Sequence, residues 1–155
     1  MGADRDAVFE ARHDGYSIST DPARLDRDRV FRYLHEEAYW SAGMARSVFE
    51  RALAGSLNFG LYDAAGEQAG FGRVITDYAT NARLLDVFVL PEHRGRGLGE
   101  WLVATILADP RLQNLRSWSL STNDAHGLYE RFGFEPIDAA TNMVRKDPEA
   151  HKRER

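Results

Sequence analysis

The sequence predicts an α/β (α+β) fold, with one central, mostly antiparallel mixed sheet of about six to seven strands flanked by about four helices. Three observations predict it. Strand-like runs joined by short turns occupy the middle of the chain: Leu57 to Tyr62, Gln68 to Thr76 and Leu84 to Leu90. Segments of helical periodicity lie on both sides of these runs. No repeat or linker divides the 155 residues, so residues 1–155 form one domain, with a core at about 16–145, a loose polar leader over 1–14 and a solvated charged tail over 146–155.

The elements follow in order. Tyr16 to Thr20 alternates like a short strand, and Asp21-Pro22 ends it. Leu25, Val30, Phe31, Leu34 and Ala38 then recur at helical spacing. A second helix runs from Ala45 to Ala54, with Gly55 suited to its C-terminal end. Leu57 to Tyr62 and Gln68 to Thr76 flank the connection Asp63-Ala64-Ala65-Gly66-Glu67, which reads as a hairpin. Leu84 to Leu90 is the strongest strand and stops at Pro91. A helix from Gly97 to Ala108 puts Leu98, Trp101, Leu102, Thr105 and Ile106 on one face. After Pro110 come a strand from Ser117 to Ser121 and a helix from Thr122 to Phe132, ended by Gly133. Two short strands, Phe134 to Ile137 and Thr141 to Arg145, close the fold.

Composition removes several classes of function. The excess of 24 acidic over 20 basic side chains gives a charge of −4, which argues against a nucleic-acid partner, since that would need a basic face. The absence of cysteine excludes disulfides, thiolate metal sites and a cysteine nucleophile. His35-Glu36-Glu37-Ala38-Tyr39 lacks the second histidine of a zincin helix, and no other spacing makes a metal site. The start of the chain has no apolar run of a signal peptide, and Asp6 stands where a myristoylation signal needs Ser or Thr. No stretch approaches membrane-spanning length. A cytoplasmic protein with no membrane partner is the expectation.

The segment Arg94-Gly95-Arg96-Gly97-Leu98-Gly99 between a strand and a helix is the most informative feature. A helix N-terminus presents unpaired N–H groups and the positive end of its dipole. Glycines let those amides approach a phosphate, and Arg94 and Arg96 add charge. The glycines are spaced G-x-G-x-G, unlike a dinucleotide fingerprint, and no Gly-Lys-Ser/Thr of a P-loop follows. A structural tight turn is the alternative for a glycine triplet taken alone.

Val89-x-Pro91-x-x-Arg94-x-x-Gly97-x-Gly99 after a hydrophobic strand resembles the acetyl-CoA signature of the GNAT superfamily of N-acetyltransferases. Ala125-x-x-Leu128-Tyr129-x-x-x-Gly133-Phe134 resembles its second motif. The resemblance is strongest from Leu84 to Phe134, and the element order from Tyr16 to Arg145 agrees with that fold. It implies that the amides from Arg94 to Gly99 bind the pyrophosphate of acetyl-CoA, and that backbone groups of about Phe88 to Leu90 pair with its pantetheine. It further implies that an N–H near Val89 polarises the thioester carbonyl. Attack by the substrate amine is direct, in a ternary complex. Tyr129 takes the position of the general acid; a phenol of pKa about 10 is un-ionised where a thiol of about 8.5 leaves as thiolate. Core packing beside Leu128 and Phe132 is the alternative for this tyrosine.

Two carboxylates are candidates for the base. Asp86 lies within the apolar strand, where burial demands a partner or a purpose, and Asp77 sits past a strand end. Pairing of Asp86 with Arg73 or Arg83 is the structural alternative, and a water chain replaces a single base in many relatives. The superfamily commonly has Asn seven residues before the tyrosine, in contact with pantetheine. Here Thr122 stands there and Asn123 follows, so either one takes that contact, or Thr122 serves as a helix N-cap. His93 and His126 are read as exposed. Tyr39 and Trp40, beside Glu36 and Glu37, suit a cationic amine, with Asp77 as a further substrate contact; helix-end packing is their alternative. The expected acceptor is a small-molecule amine. A protein or peptide N-acetyltransferase and a non-catalytic acetyl-CoA sensor stay open as readings, and so does a homodimer.

Overall fold

Asp14 and Gly15 both take positive φ, 50° and 80°, and fold the chain into a tight hairpin at its very start. The computed structural model describes residues 4–154, so the sequence-based leader and tail extend at Met1–Ala3 and Arg155 beyond the described residues. The hairpin joins β1 (Glu10–His13) to β2 (Tyr16–Ser19) and opens a six-stranded sheet in the order β1-β2-β3-β4-β5-β6. Over residues 4–14 the leader is therefore not loose. Arg111 Nη1 donates to the carbonyls of Arg5 and Ala7 at 3.1 and 2.7 Å, while its Nη2 donates to buried Asp109 at 2.6 Å.

β3 (Leu57–Tyr62), β4 (Gln68–Thr76) and β5 (Asn81–Val89) continue the antiparallel sheet. Asp63 Oδ1 accepts the N–H groups of Ala65 and Glu67 and so shapes the β3–β4 turn. α1 (Arg27–Arg32) is capped by Asp26, whose carboxylate accepts the Arg29 N–H at 3.0 Å. It runs on as a π-helical turn, Tyr33–Glu37, that stacks Tyr33 on Phe88 with ring centres 4.0 Å apart. α2 is Arg46–Ala54 and α3 is Leu98–Leu107. One sheet face packs Phe59, Leu61, Val74 and Leu84 against Leu98, Leu102 and Ile106 of α3. The other packs Phe71, Phe88 and Leu90 against Val30, Leu34 and Phe49 from the α1–α2 side. Helices thus cover both faces of one sheet.

Two departures from regular pairing open the site. Phe71 pairs with Phe88 and Arg73 with Leu85, so Gly72 alone stands opposite Asp86 and Val87. At this bulge Asp86 adopts φ +54°, a left-handed conformation inside a strand. A Cβ on Gly72 would lie 2.9 Å from Ile106 Cδ1, so a larger residue there would have to push the end of that side chain aside. On its other side β5 pairs with parallel β6 (Ser117–Ser119) only through Asn81, Ala82 and Arg83. Beyond Arg83 no further strand pairing follows among the described residues, leaving the outer edge of β5 open there.

The end of the chain differs from expectation. α4 spans only His126–Glu130, because Thr122 Oγ1 accepts the Ala125 N–H and holds the preceding residues in a turn. No strand forms over 134–137 or 141–145; a turn closed by Thr141 N–H donating to Asp138 O lies between them. The tail is docked rather than solvated, with the Ala45 N–H donating to His151 O at 2.8 Å and the N–H groups of Arg46 and Ser47 donating to the Glu154 carboxylate.

Candidate active site

The bare edge of β5 forms one wall of a cleft of about 300 Å³. Leu84 to Val87 line that wall, Leu120, Ser121, Thr122, Asp124 and Ala125 line the opposite one, and Tyr39 and Trp40 form the rim. Tyr129 reaches the cleft from α4. It is 9% exposed, its ring meets Phe134 edge-on with centres 5.9 Å apart, and its hydroxyl has no protein hydrogen-bond partner among the described residues. Burial first, then the negative charge of Asp124, push its phenol pKa above the usual tyrosine value. A roomier hollow of about 460 Å³ near Tyr62 and Asn58 shares no lining residue with this cleft. Of the residues singled out from the sequence, Tyr129, Asp86, Thr122, Tyr39 and Trp40 line the smaller one.

Past the cleft, β5 leads into the glycine segment. Leu90 N–H donates to Ala69 O at 2.8 Å, so strand alternation aims the backbone groups of Phe88 at β4 and those of Val89 at the open edge. Arg94 Nε donates to Val89 O at 2.9 Å, which confirms that direction. Phe88 is therefore a core side chain whose main chain belongs to the β4 ladder, and Val89 is the open-edge residue. Arg94 Nη2 also donates to Tyr33 OH at 3.0 Å. Its guanidinium locks the loop to β5 and the π-helical turn instead of standing free for an anion. Arg96 is exposed and has no partner among the described residues.

Gly95 and Gly97 adopt φ +81° and +73°, and nothing lies within 4 Å of where a Cβ would stand on either. α3 has no side-chain N-cap, and its first helical bond is Trp101 N–H to Gly97 O at 3.1 Å. The N–H groups of Leu98, Gly99 and Glu100 thus precede the helical ladder without acceptors in it. An uncapped ten-residue helix behind two left-handed glycines fits a diphosphate group.

The two candidate bases part company. Asp86 is 7% exposed at its side chain; its Oδ2 accepts from Arg73 Nε at 2.8 Å and its Oδ1 from Trp40 Nε1 at 2.9 Å. Arg73 in turn donates to Ser56 Oγ at 3.0 Å. Asp86 is thus the paired carboxylate of a buried link between β4, β5 and the cleft rim. Asp77 is outside the cleft. It accepts the N–H groups of Ala79, Thr80 and Asn81 and the Thr80 hydroxyl at the β4–β5 turn, which hold its carboxyl far below the usual range. As a turn former it is placed neither to touch an acceptor nor to take its proton.

Thr122 lines the cleft while capping the turn before α4, and Asn123 turns its N–H toward Tyr39 OH at 3.3 Å. That contact bridges the α1 side of the rim to the α4 side. Tyr39 and Trp40 are 53% and 40% exposed and pack edge-to-face. His126 is exposed as expected, but His93 is partly buried, its Nδ1 2.9 Å from Tyr16 OH. Arg83 and Asp124 also line the cleft, and sequence reading assigned neither to the site. Their signal was only proximity to the Asp86 strand and to the Tyr129 motif. No group of three or more His, Asp or Glu able to hold a metal occurs among the described residues, and no helix there is long and apolar enough to cross a membrane.

Comparison with known proteins agrees with this geometry. The family model described as acetyltransferase (GNAT) domain matches residues 55–136, which take in the bulge, the glycine loop and Tyr129. The chain is 35% identical to a candidate acetyltransferase of Gibberella zeae, over 74% of this chain and 75% of that protein. It is 44% identical to a candidate GNAT-family acetyltransferase from Xanthomonas campestris pv. campestris, whose crystal structure it matches with a TM-score of 0.84 over 89% of this chain and 97% of that one. At 13% identity it shares the fold of a GNAT-family acetyltransferase from Elizabethkingia anophelis solved with acetyl-CoA bound, with a TM-score of 0.57 over 86% and 80% of the two chains. With its open β5 edge, left-handed glycine loop and matching family model, the chain belongs to the GNAT family of acetyl-CoA-dependent acetyltransferases.

Proposed function

We propose that the chain transfers the acetyl group of acetyl-CoA to the primary amine of a small cationic molecule, with Tyr129 as the proton donor. The observation that carries this reading is Tyr129, only 9% exposed, whose hydroxyl has no protein hydrogen-bond partner among the described residues and lines a cleft beside the open edge of β5. In the reaction the amine nitrogen bonds to the thioester carbon and the C–S bond breaks. The phenol gives its proton to the departing sulfur, and the excess proton of the attacking nitrogen leaves. Asp86 has donors on both oxygens, so water in the cleft is assigned as the acceptor of that last proton. The N–H of Val89, on the open edge, is assigned to the thioester carbonyl. The amides of Leu98, Gly99 and Glu100, with Arg96, are assigned to the pyrophosphate, and Thr122 and Asn123 to pantetheine.

A small acceptor is favoured by the cleft volume of about 300 Å³ and by the Tyr39–Asn123 contact across its rim. A cationic one is favoured by the Tyr39 and Trp40 rings and the Asp124 carboxylate on the lining. A thiol-release assay with small aliphatic and aromatic amines, set against peptides with free N-termini or lysines, tests this. Turnover concentrated in small cationic amines is expected; turnover confined to peptides would reject the small-acceptor reading.

Arg96→Ala tests the cradle. Loss of one charged hydrogen bond, worth about 1.5–3 kcal/mol, should weaken acetyl-CoA binding roughly tenfold or more by calorimetry. Arg94→Ala should weaken it too, by freeing the loop from Val89 and Tyr33, and should in addition lower the melting temperature.

A further inference from the structure

Arg83 is the only basic side chain lining the cleft among the described residues, and no carboxylate there neutralises it. Asp86 is the acid nearest to it in sequence, but both Asp86 oxygens are taken, by Arg73 at 2.8 Å and Trp40 at 2.9 Å. Arg83 Nη2 donates instead to Ser121 Oγ at 2.9 Å, and its Nη1 to Ser119 Oγ at 3.4 Å. Each hydroxyl accepts from the guanidinium and keeps its own hydrogen to give away. The guanidinium likewise keeps N–H donors to spare. A cation flanked by two hydroxyl donors is a receptor for an oxyanion.

Its position suits that role. Arg83 is the last residue of β5 paired to β6, opposite Ser119, so the group stands where the two parallel strands part and the cleft begins. Arg83 is half-buried, and both serines are exposed. The opposite charge lies on the other wall. Asp124 lines the cleft, makes no ion pair among the described residues, and stands near enough to Tyr129 for its charge to act on the phenol. One uncompensated cation and one uncompensated carboxylate thus face a space of about 300 Å³. A unit charge of each sign matches an ammonium and a carboxylate on one small molecule better than it matches a phosphate dianion.

We propose that Arg83, with the Ser119 and Ser121 hydroxyls, is the anion subsite of the acceptor, and that the acceptor is an amino acid with a free carboxylate. The proposal rests on the small-amine reading of the cleft and narrows it. The carboxylate sits on Arg83, and the amine sits on the Asp124 wall beside Tyr129. There the free amine bonds to the thioester carbon and the C–S bond breaks. Sulfur takes the phenol proton, and water takes the proton that the nitrogen sheds. Arg83 sets which amines are held, and the two opposite charges together set how they are turned.

A panel of amino acids, each set against its decarboxylated amine, tests this by thiol release: lysine and cadaverine, histidine and histamine, phenylalanine and phenethylamine. A kcat/KM at least about tenfold higher for the carboxylate-bearing member of the accepted pair is expected, carried by KM. Arg83→Gln should bring the pair to within about threefold, while Arg83→Lys, which keeps the charge without the fork, should retain part of the preference. If Arg83 only ties β5 to β6, both variants will melt earlier and keep the full preference, which overturns the subsite. Equal or better turnover of the decarboxylated members also overturns it, and leaves the small-amine reading standing. Turnover of O-phosphoethanolamine above that of β-alanine overturns the carboxylate assignment. Calorimetric titration of the same panel into the CoA-saturated protein reads the subsite without turnover. Amino-acid binding that Arg83→Gln abolishes supports the subsite even where turnover is confined to peptides, and no amino-acid binding overturns it.

Discussion

Tyr129→Phe is expected to lower kcat about 100-fold or more, with acetyl-CoA affinity and melting temperature nearly unchanged. The split follows from what the residue touches. The ring packs among Leu98, Leu102 and the neighbouring core and meets Phe134 edge-on, and phenylalanine keeps all of that. The hydroxyl has no protein partner among the described residues, so its removal strands no donor or acceptor. Only proton donation to the leaving thiolate is lost. The pH dependence has a definite sign: burial raises this phenol above its ordinary value near 10, so the acid stays protonated through pH 9 and contributes no alkaline fall in kcat below about pH 10. A fall in rate centred near pH 8 that disappears in Tyr129→Phe would contradict this assignment. Steady-state kinetics across pH 6–10, with calorimetry for binding, reads both parts.

Asp86→Asn separates a positioning residue from a general base. The side chains of Asp86 and Arg73 are 7% and 11% exposed, and leaving one partner of a buried pair uncompensated costs about 3–5 kcal/mol. In a domain of this size that corresponds to a fall in melting temperature of roughly 6–20 °C. Asparagine tolerates left-handed φ and can still accept the Trp40 N–H, so the bulge and the rim survive in part. A large loss of stability is expected, with kcat reduced by less than about tenfold at temperatures where the variant is folded. A general base would give the opposite pattern: an unchanged melting curve and a loss of about 100-fold or more in kcat. Thermal unfolding by circular dichroism and kinetics at 15 °C decide between them.

Much of this was legible in the sequence, for reasons that differ along the chain. β3, β4 and α3 carry strong local patterns and short, glycine-bearing connections, and they form where the pattern places them. The glycine loop was legible because positive φ and bare amides demand that residue type, as Gly95 and Gly97 show. β1 was missed because an edge strand need not alternate; only Ala11 in Glu10–His13 is partly covered, although the Asp14-Gly15 turn was a signal within reach. The bulge at Asp86 was invisible because register belongs to a pair of strands, and nothing in Leu84 to Leu90 says that Gly72 will face two residues. Pairing with Arg73 was among the readings of Asp86, and geometry selects it. Asp77 misled because a carboxylate after a strand suits both a turn and a base, and three backbone N–H donors settle it as a turn. The segments 134–137 and 141–145 have strand-like composition but make no backbone ladder among the described residues, which is why local pattern overran the fold there.

If the loop from Arg94 to Gly99 holds acetyl-CoA for transfer at Tyr129, titration of acetyl-CoA into the wild type and Gly97→Val will show it. Gly97 has φ +73° and open space where a Cβ would stand, so valine strains the backbone and intrudes where the pyrophosphate is expected. Saturable binding to the wild type and at least about tenfold weaker binding to a folded Gly97→Val are expected. Equal affinity in the two proteins, with the variant folded, would contradict it.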